Sequence, residues 1–142
     1  MEKERSQIGD GRRTRAKHRG RLTAVQVLLR YKDEDLPAFA GIDLTDVNQV
    51  GLFGERPLYV AACRGNLEEL YAFLDGGADI DILGEHGHTA LHEATSQDHF
   101  DAVKVLLEFG ARKDIRSDFG ETPLDIALRH GRQDIADLLK ET

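Results

Sequence analysis

Gly87-His88-Thr89-Ala90-Leu91-His92-Glu93-Ala94 occurs in related form twice more in the chain, each time 33 residues away. Gly54-Glu55-Arg56-Pro57-Leu58-Tyr59-Val60-Ala61 precedes it, and Gly120-Glu121-Thr122-Pro123-Leu124-Asp125-Ile126-Ala127 follows it. Other positions that keep the same step are Leu70, Val103 and Ala136; Phe73, Leu106 and Leu139; and Gly77 and Gly110. A fixed period of this size indicates stacked supersecondary units, each of which buries its apolar face only against its neighbours.

The sequence of each unit predicts two short helices joined by a turn. Thr89 and Thr122 stand where a helix N-cap is expected, directly before Ala-Leu and Pro-Leu. Gly77 and Gly110 follow the second helix, where a residue with positive φ is commonly needed. The second helix of the middle unit has apolar residues at helical spacing, namely Phe100, Val103, Leu106 and Leu107.

These motifs resemble the ankyrin repeat family over residues 46–142. The family's Gly-x-Thr-Pro-Leu-His box is nearly intact at Gly87–His92, and its Gly-Ala-Asp ending is present at Gly77-Ala78-Asp79. Asp98 replaces the glycine found at Gly65 and Gly131, in a turn that we expect to need positive φ. The resemblance implies an all-α solenoid of helix-turn-helix units with hairpin-like finger loops, and a role in binding proteins.

The repeat register predicts the domain organisation. The position 33 residues before Arg56 is Thr23, which we expect to start a helix. Leu36, Phe39 and Ile42 would then belong to a second helix. Polar residues at stacking positions, Gln133 and Lys140, indicate that the last unit is a cap. We therefore expect one ankyrin domain at 22–142, composed of a degenerate N-terminal cap repeat (22–53), two full repeats (54–86 and 87–119) and a C-terminal cap repeat (120–142).

Composition favours a soluble cytoplasmic protein. The single Cys63 excludes an intramolecular disulfide and fits a reducing compartment. No stretch approaches the roughly 18 apolar residues of a membrane span, so we expect no membrane association. Residues 1–21 have a net charge of +5 and the remaining residues a net charge of −12.

The basic segment 1–21 has two interpretations. It lacks apolar periodicity, and we expect a disordered, solvated leader. The alternative is regulation associated with nucleic acid through residues 12–21, although no aromatic residue there could stack on bases.

No motif predicts an enzyme, a cofactor or a metal site. His86, His88, His92 and His99 form a cluster that could bind zinc, but the resemblance gives His92 a structural role, and no further ligand has a matching spacing. Cys63 has no base partner in the sequence, so we expect an unreactive, partly exposed thiol.

The resemblance implies that partner binding uses the finger tips and the ends of the inner helices. The finger positions are Leu52, Phe53, Glu55, Glu85, His86, His88, Asp118, Phe119 and Glu121, and the helix-end positions are Arg64, Ser96, Gln97, Arg129 and His130. Phe53 and Phe119 are either exposed interface anchors or packed against a neighbouring finger. The acidic tips favour a basic protein partner. We expect a monomer that acts as an inhibitor, an adaptor or an immunity-type neutraliser.

Overall fold

Seven α-helices follow one another along residues 22–141, the part of the chain that this computed structural model describes. They are α1 (Ala24–Asp33), α2 (Pro57–Arg64), α3 (Leu67–Asp75), α4 (Ala90–Ser96), α5 (Phe100–Glu108), α6 (Pro123–Arg129) and α7 (Gln133–Glu141). Two 3-10 turns lie at Pro37–Phe39 and Glu85–Gly87, and no strand occurs within this part of the chain. The expected all-α solenoid is confirmed. Residues 1–21, where we predict a basic leader, lie outside the described residues.

The helices form two layers. The inner layer consists of α2, α4 and α6, which pack side by side, and the outer layer of α3, α5 and α7 does the same. Each inner helix also packs on the outer helix that follows it. This is the arrangement that the 33-residue step predicts, because equivalent faces of successive units meet.

The predicted helix ends are confirmed. The Thr89 and Thr122 side chains accept hydrogen bonds from the backbone N–H groups of His92 and Asp125, so each caps the helix that follows it. Asp98 adopts a φ of 63°, in the left-handed region that its position predicts. The finger loops bring the chain from each outer helix to the next N-cap.

A continuous apolar core fills the space between the layers, and its largest fully buried side chains include Phe73, Leu91 and Leu106. On the last helix, Gln133 and Lys140 are exposed, so the outward side of α7 is polar, although Leu128 on the preceding α6 is 51% exposed. None of the helices within residues 22–141 is long and apolar enough to cross a membrane.

The N-terminal part differs from the expected pair of helices. Thr23 does cap α1, in a reciprocal arrangement with Gln26. However, the second helix expected around Leu36 and Ile42 is only the 3-10 turn Pro37–Phe39, because Ala40 is extended and Gly41 has a φ of 73°. The boundaries that we predict for the repeats remain a prediction.

The helix α1 packs mainly on the outer helix α3 and runs antiparallel to it. Ala24, at its start, lies against Gly76, just after the end of α3. Tyr31, near its end, donates a 2.6 Å hydrogen bond from its hydroxyl to Glu69, near the start of α3. The first helix therefore closes the outer layer.

Candidate functional site

The three fingers are the loops whose tips carry Phe53, His86 and Phe119, and a backbone hydrogen bond joins the second finger to the third. Within the second finger, the Gly84 N–H donates to the His88 carbonyl at 2.7 Å. The Asp118 N–H then donates to the His86 carbonyl at 2.9 Å, which connects the second finger to the third. This bond fixes the second and third fingers relative to each other. Between the first and second fingers, the Arg56 guanidinium donates a 3.2 Å hydrogen bond to the Leu83 carbonyl. We call the three successive tips the finger row.

Two phenylalanines at the ends of this row are exposed. Phe53 is 64% exposed and Phe119 is 67% exposed, although the Phe119 ring also contacts the His86 ring at a centroid distance of 5.5 Å. Leu52, next to Phe53, is 53% exposed. Phe119 therefore packs in part against the second finger, through His86, while both phenylalanines keep most of their surface exposed. They are available to a partner.

The acidic finger residues differ in how many hydrogen bonds and ion pairs their carboxylates form within the protein. Glu121 receives two hydrogen bonds from Arg129, at 2.7 and 2.8 Å, and these bonds hold its pKa below the ordinary value. Glu55 accepts a 3.0 Å bond from the Phe53 N–H and so supports the first fingertip. Glu85 lies 3.5 Å from the His86 ring. Asp118 is exposed and forms no ion pair within residues 22–141. Glu85 and Asp118 are thus the acids best placed to attract a partner.

The helix-end residues are mostly engaged within the protein. Arg64 contacts Glu34 at 3.0 Å and Glu69 at 3.5 Å, and its guanidinium lies 5.3 Å from the centre of the Tyr31 ring. It therefore belongs to the attachment of α1. Arg129 holds Glu121 and also contacts the exposed His130 at 3.1 Å.

The other two helix-end candidates lie at the end of α4. The Ser96 carbonyl accepts a 3.4 Å bond from Arg132, and Ser96 itself is only partly exposed. Gln97 is exposed but donates to Glu93 at 3.1 Å. Four of the five predicted helix-end positions are exposed, namely Arg64, Gln97, Arg129 and His130, and Ser96 is only partly exposed.

A cluster of polar side chains at the centre of the inner-helix layer was not predicted from the sequence. The His88 and His92 rings are stacked at 5.2 Å, and His88 Nδ1 lies 3.5 Å from the carboxylate of Glu93. Burial alone would raise the pKa of Glu93, but the neighbouring polar groups, among them His88 and the Gln97 amide that donates a 3.1 Å hydrogen bond, outweigh it and lower that pKa. Spacing offered one signal, since Glu93 and Gln97 are four residues apart on one helix face.

His92 has structural hydrogen bonds, and Cys63 has an unreactive thiol, as expected from the sequence. His92 accepts a 3.0 Å bond from the Thr89 N–H at Nδ1, and its Nε2 lies 2.9 Å from the Glu121 carbonyl in the next unit. Burial and the nearby Glu93 carboxylate raise the pKa of Cys63 to about 11, so its thiol stays protonated at neutral pH. Within the described residues, no group of three or more His, Cys, Asp or Glu could hold a metal ion.

Comparison with known protein families gives one match. A family model described as ankyrin repeats (3 copies) matches residues 14–117 and 58–142, which together cover most of the chain. No match was found among curated proteins.

Proposed function

The chain belongs to the ankyrin repeat family, and we propose that it is a non-catalytic module that binds a basic protein through its fingers and inner-helix ends. Ankyrin repeats generally mediate protein–protein interactions, and the family is typically non-catalytic. The partner class and the face it uses are the proposal.

The exposure of Phe53 and Phe119 is the observation that carries this proposal. An exposed aromatic side chain surrounded by polar residues is the usual anatomy of an interface anchor, because burying its ring on binding releases much ordered water from apolar surface. The two rings stand on the first and third fingers, so a partner that covers both must also lie across the second finger, where Glu85 and His86 are found. This geometry favours a partner of at least the width of three units.

Charge supports a basic partner. Residues 22–142 have a net charge of −12, and Glu85 and Asp118 belong to the second and third fingers. A negative potential over the fingers would steer a basic surface to the apolar anchors. Such a module fits an inhibitor, an adaptor or an immunity-type neutraliser of a basic enzyme or toxin. The single Cys63 supports a cytoplasmic setting.

A second candidate function rests on the net charge of +5 in residues 1–21. In this alternative, residues 12–21 contact nucleic acid phosphates while the repeats recruit a protein. The affinity for nucleic acid would then fall steeply with salt, because each phosphate contact releases counterions. A mobility-shift titration at two salt concentrations tests this alternative on its own.

The main proposal is tested by identifying the partner with a pull-down on the full chain and mass spectrometry, followed by titration calorimetry. We expect Phe53→Ala and Phe119→Ala each to weaken binding by about 2 kcal/mol or more without unfolding the protein. Charge reversal at Glu85 or Asp118 should mainly slow association, and added salt should reduce this effect.

The matched control is Glu108→Ala, on the exposed surface of the outer helix α5, which should leave the affinity unchanged. If the four finger variants bind normally while Glu108→Ala or a substitution in residues 12–21 abolishes binding, the proposed face is wrong.

A further inference from the structure

Three histidine rings lie next to one another from the tip of the second finger to the inner-helix layer. The exposed His86 ring lies 6.2 Å from the His88 ring between centroids, and the His88 ring is stacked on the buried His92 ring at 5.2 Å. At the outer end, the His86 ring also contacts the Phe119 ring at 5.5 Å. We call His86, His88 and His92 the histidine stack. It connects one of the two candidate anchors with the buried part of the repeat.

A carboxylate lies beside each of the two outer rings. Nε2 of His86 lies 3.5 Å from the Glu85 carboxylate, and Nδ1 of His88 lies 3.5 Å from the Glu93 carboxylate. The second pair is mostly shielded from solvent, with side-chain exposures of 16% for His88 and 10% for Glu93. His88 Nδ1 is buried and has no hydrogen bond within residues 22–141. The fold therefore provides the anionic partner that a charged His88 ring needs.

The third ring of the stack is kept neutral. Burial lowers the pKa of His92, and the neighbouring His88 acts in the same direction. His92 Nδ1 accepts a hydrogen bond from the Thr89 N–H, which a charged ring could not do because both of its nitrogens carry protons. Two charged rings stacked on each other would repel, so a neutral His92 allows His88 to take up the proton.

The other titratable groups around the stack keep one charge state between about pH 5.5 and about pH 7.5. Burial raises the pKa of Cys63 to about 11 and also raises the pKa of Tyr59, so both side chains on α2 stay protonated. The lowered pKa of Glu93 keeps its carboxylate charged. The remaining charged neighbours on the three fingers and on α6 are of residue types that ordinarily titrate outside this range, namely Arg56, Glu85, Asp118, Glu121 and Arg129. The imidazoles are therefore the groups that change charge here.

We propose that the histidine stack makes binding at the finger row pH-dependent, so that a basic partner is held at neutral pH and released on acidification. This inference rests on the proposed function and names the regulation of the same face. Imidazoles are mostly neutral near about pH 7.5, and the Glu85 and Asp118 carboxylates then attract a basic surface. When the outer rings take up protons, His86 offsets the charge of Glu85 and His88 offsets the charge of Glu93. The second finger thus loses negative potential, and the attraction falls.

The titration of the rings is measured on the full chain without a partner. Proton NMR follows the Cε1–H signals from about pH 5 to about pH 7.5, and the variants His86→Gln and His88→Gln assign them. We expect His88 to titrate in this range and His92 to titrate at a lower pH than His88. Glu93→Gln should lower the His88 midpoint, because the neutral amide no longer stabilises the charged ring. A His88 signal that stays constant, or a midpoint that Glu93→Gln leaves unchanged, overturns the proposal.

A fluorescent octalysine peptide serves as the probe for a basic partner, at low and constant salt. Its affinity, measured by anisotropy, should be about threefold to fivefold lower at about pH 6 than at about pH 7.5, the effect of about one exposed charge. The double variant His86→Gln/His88→Gln should lose most of this difference. The matched control is His130→Gln, an exposed histidine outside the stack, which should keep the difference. Circular dichroism at both pH values checks that every variant is folded.

The combined variant Glu85→Gln/Asp118→Asn separates this inference from the proposed function. If it binds octalysine as the unaltered chain does, the peptide does not use the fingers, and both the proposed face and its regulation are wrong. If it binds more weakly while the unaltered chain has the same affinity at both pH values, the face is right and its regulation by pH is wrong. A pH dependence that survives in the double histidine variant also overturns the inference, because histidines outside the stack must then carry it.

Discussion

Three different residues complete the same helix cap in this protein. In each case the side chain of the third helix residue accepts a hydrogen bond from the backbone N–H of the capping threonine. The acceptors are Gln26 for Thr23, His92 for Thr89 and Asp125 for Thr122. Any side chain with an acceptor at this distance can satisfy the threonine N–H. His92 alone among the three also reaches the next finger, at the Glu121 carbonyl.

Because both ring nitrogens of His92 form hydrogen bonds in the fold, we expect the stability of the protein to depend on pH through this residue. Burial lowers the pKa of His92, because the folded protein disfavours the charged ring. The neutral ring therefore contributes stability that is fully present above the unfolded pKa of about 6.5 and is lost as the pH falls below it. Urea unfolding at about pH 7.5 and about pH 5.5 should show a smaller loss for His92→Gln than for the unaltered protein. Equal losses would mean that the ring is not kept neutral in the fold.

Leu106 tests the repeat register at a single position. It is fully buried, between the outer helices of neighbouring units, so Leu106→Ala should cost about 2–5 kcal/mol of unfolding free energy. Lys140→Ala, on the exposed surface of the last helix, should stay within about half a kcal/mol. Urea melts of the two variants give the comparison, and similar losses at both positions would contradict the assigned register.

At the level of helices and loops, the features that the sequence predicts are those that recur in every repeat. Thr89, Thr122 and the glycines at helix ends are local signals that recur every 33 residues, so the helix starts and ends of the three clear units were predictable. The tips of the fingers were also predictable, because the resemblance assigns their positions. Their exposure was not, since it depends on how neighbouring loops approach one another.

The place of α1 in the fold was not predictable in this way. Thr23 predicts where α1 begins, but the layer that α1 joins depends on contacts with residues 38 and 39 positions away. The Glu69 carboxylate is fully buried, and it accepts hydrogen bonds from Arg30 at 2.8 Å and from the Tyr31 hydroxyl at 2.6 Å. No local pattern reveals that a glutamate in an outer helix is the acceptor that holds another helix in place.

Glu69 should therefore be the most sensitive acidic residue of α3. Glu69→Ala leaves the buried Tyr31 hydroxyl without its acceptor, which costs about 1–3 kcal/mol, and it also removes the partner of Arg30, whose side chain is partly exposed to solvent. Glu68→Ala removes the neighbouring acid, which is exposed, and should change stability by no more than about half a kcal/mol. Chemical denaturation compares the two. If Glu69→Ala were as mild as Glu68→Ala, the attachment of α1 would not depend on this carboxylate.

Over the whole molecule, charge and apolar surface are distributed unequally. The basic residues before position 22 give a net charge of +5, and the rest of the chain gives −12. Exposed apolar side chains occur at both ends of the helix stack, with Val25 and Leu29 on α1 and Leu128 on α6, whereas the exposed residues of α7 are polar.

Deletion of residues 1–21 tests whether the basic segment contributes to the fold. Its three apolar residues can bury little surface, so we expect the thermal midpoint of the shortened chain to stay nearly unchanged at physiological salt. Attraction between the segment and the acidic repeats is screened there beyond about 8 Å, and any small destabilisation on deletion should appear only at low salt. Melts of both chains at the two salt concentrations, followed by circular dichroism, provide the measurement. A clear fall of the midpoint at physiological salt would show that the segment packs on the repeats, and the exposed face of α1 would then be its most direct binding site.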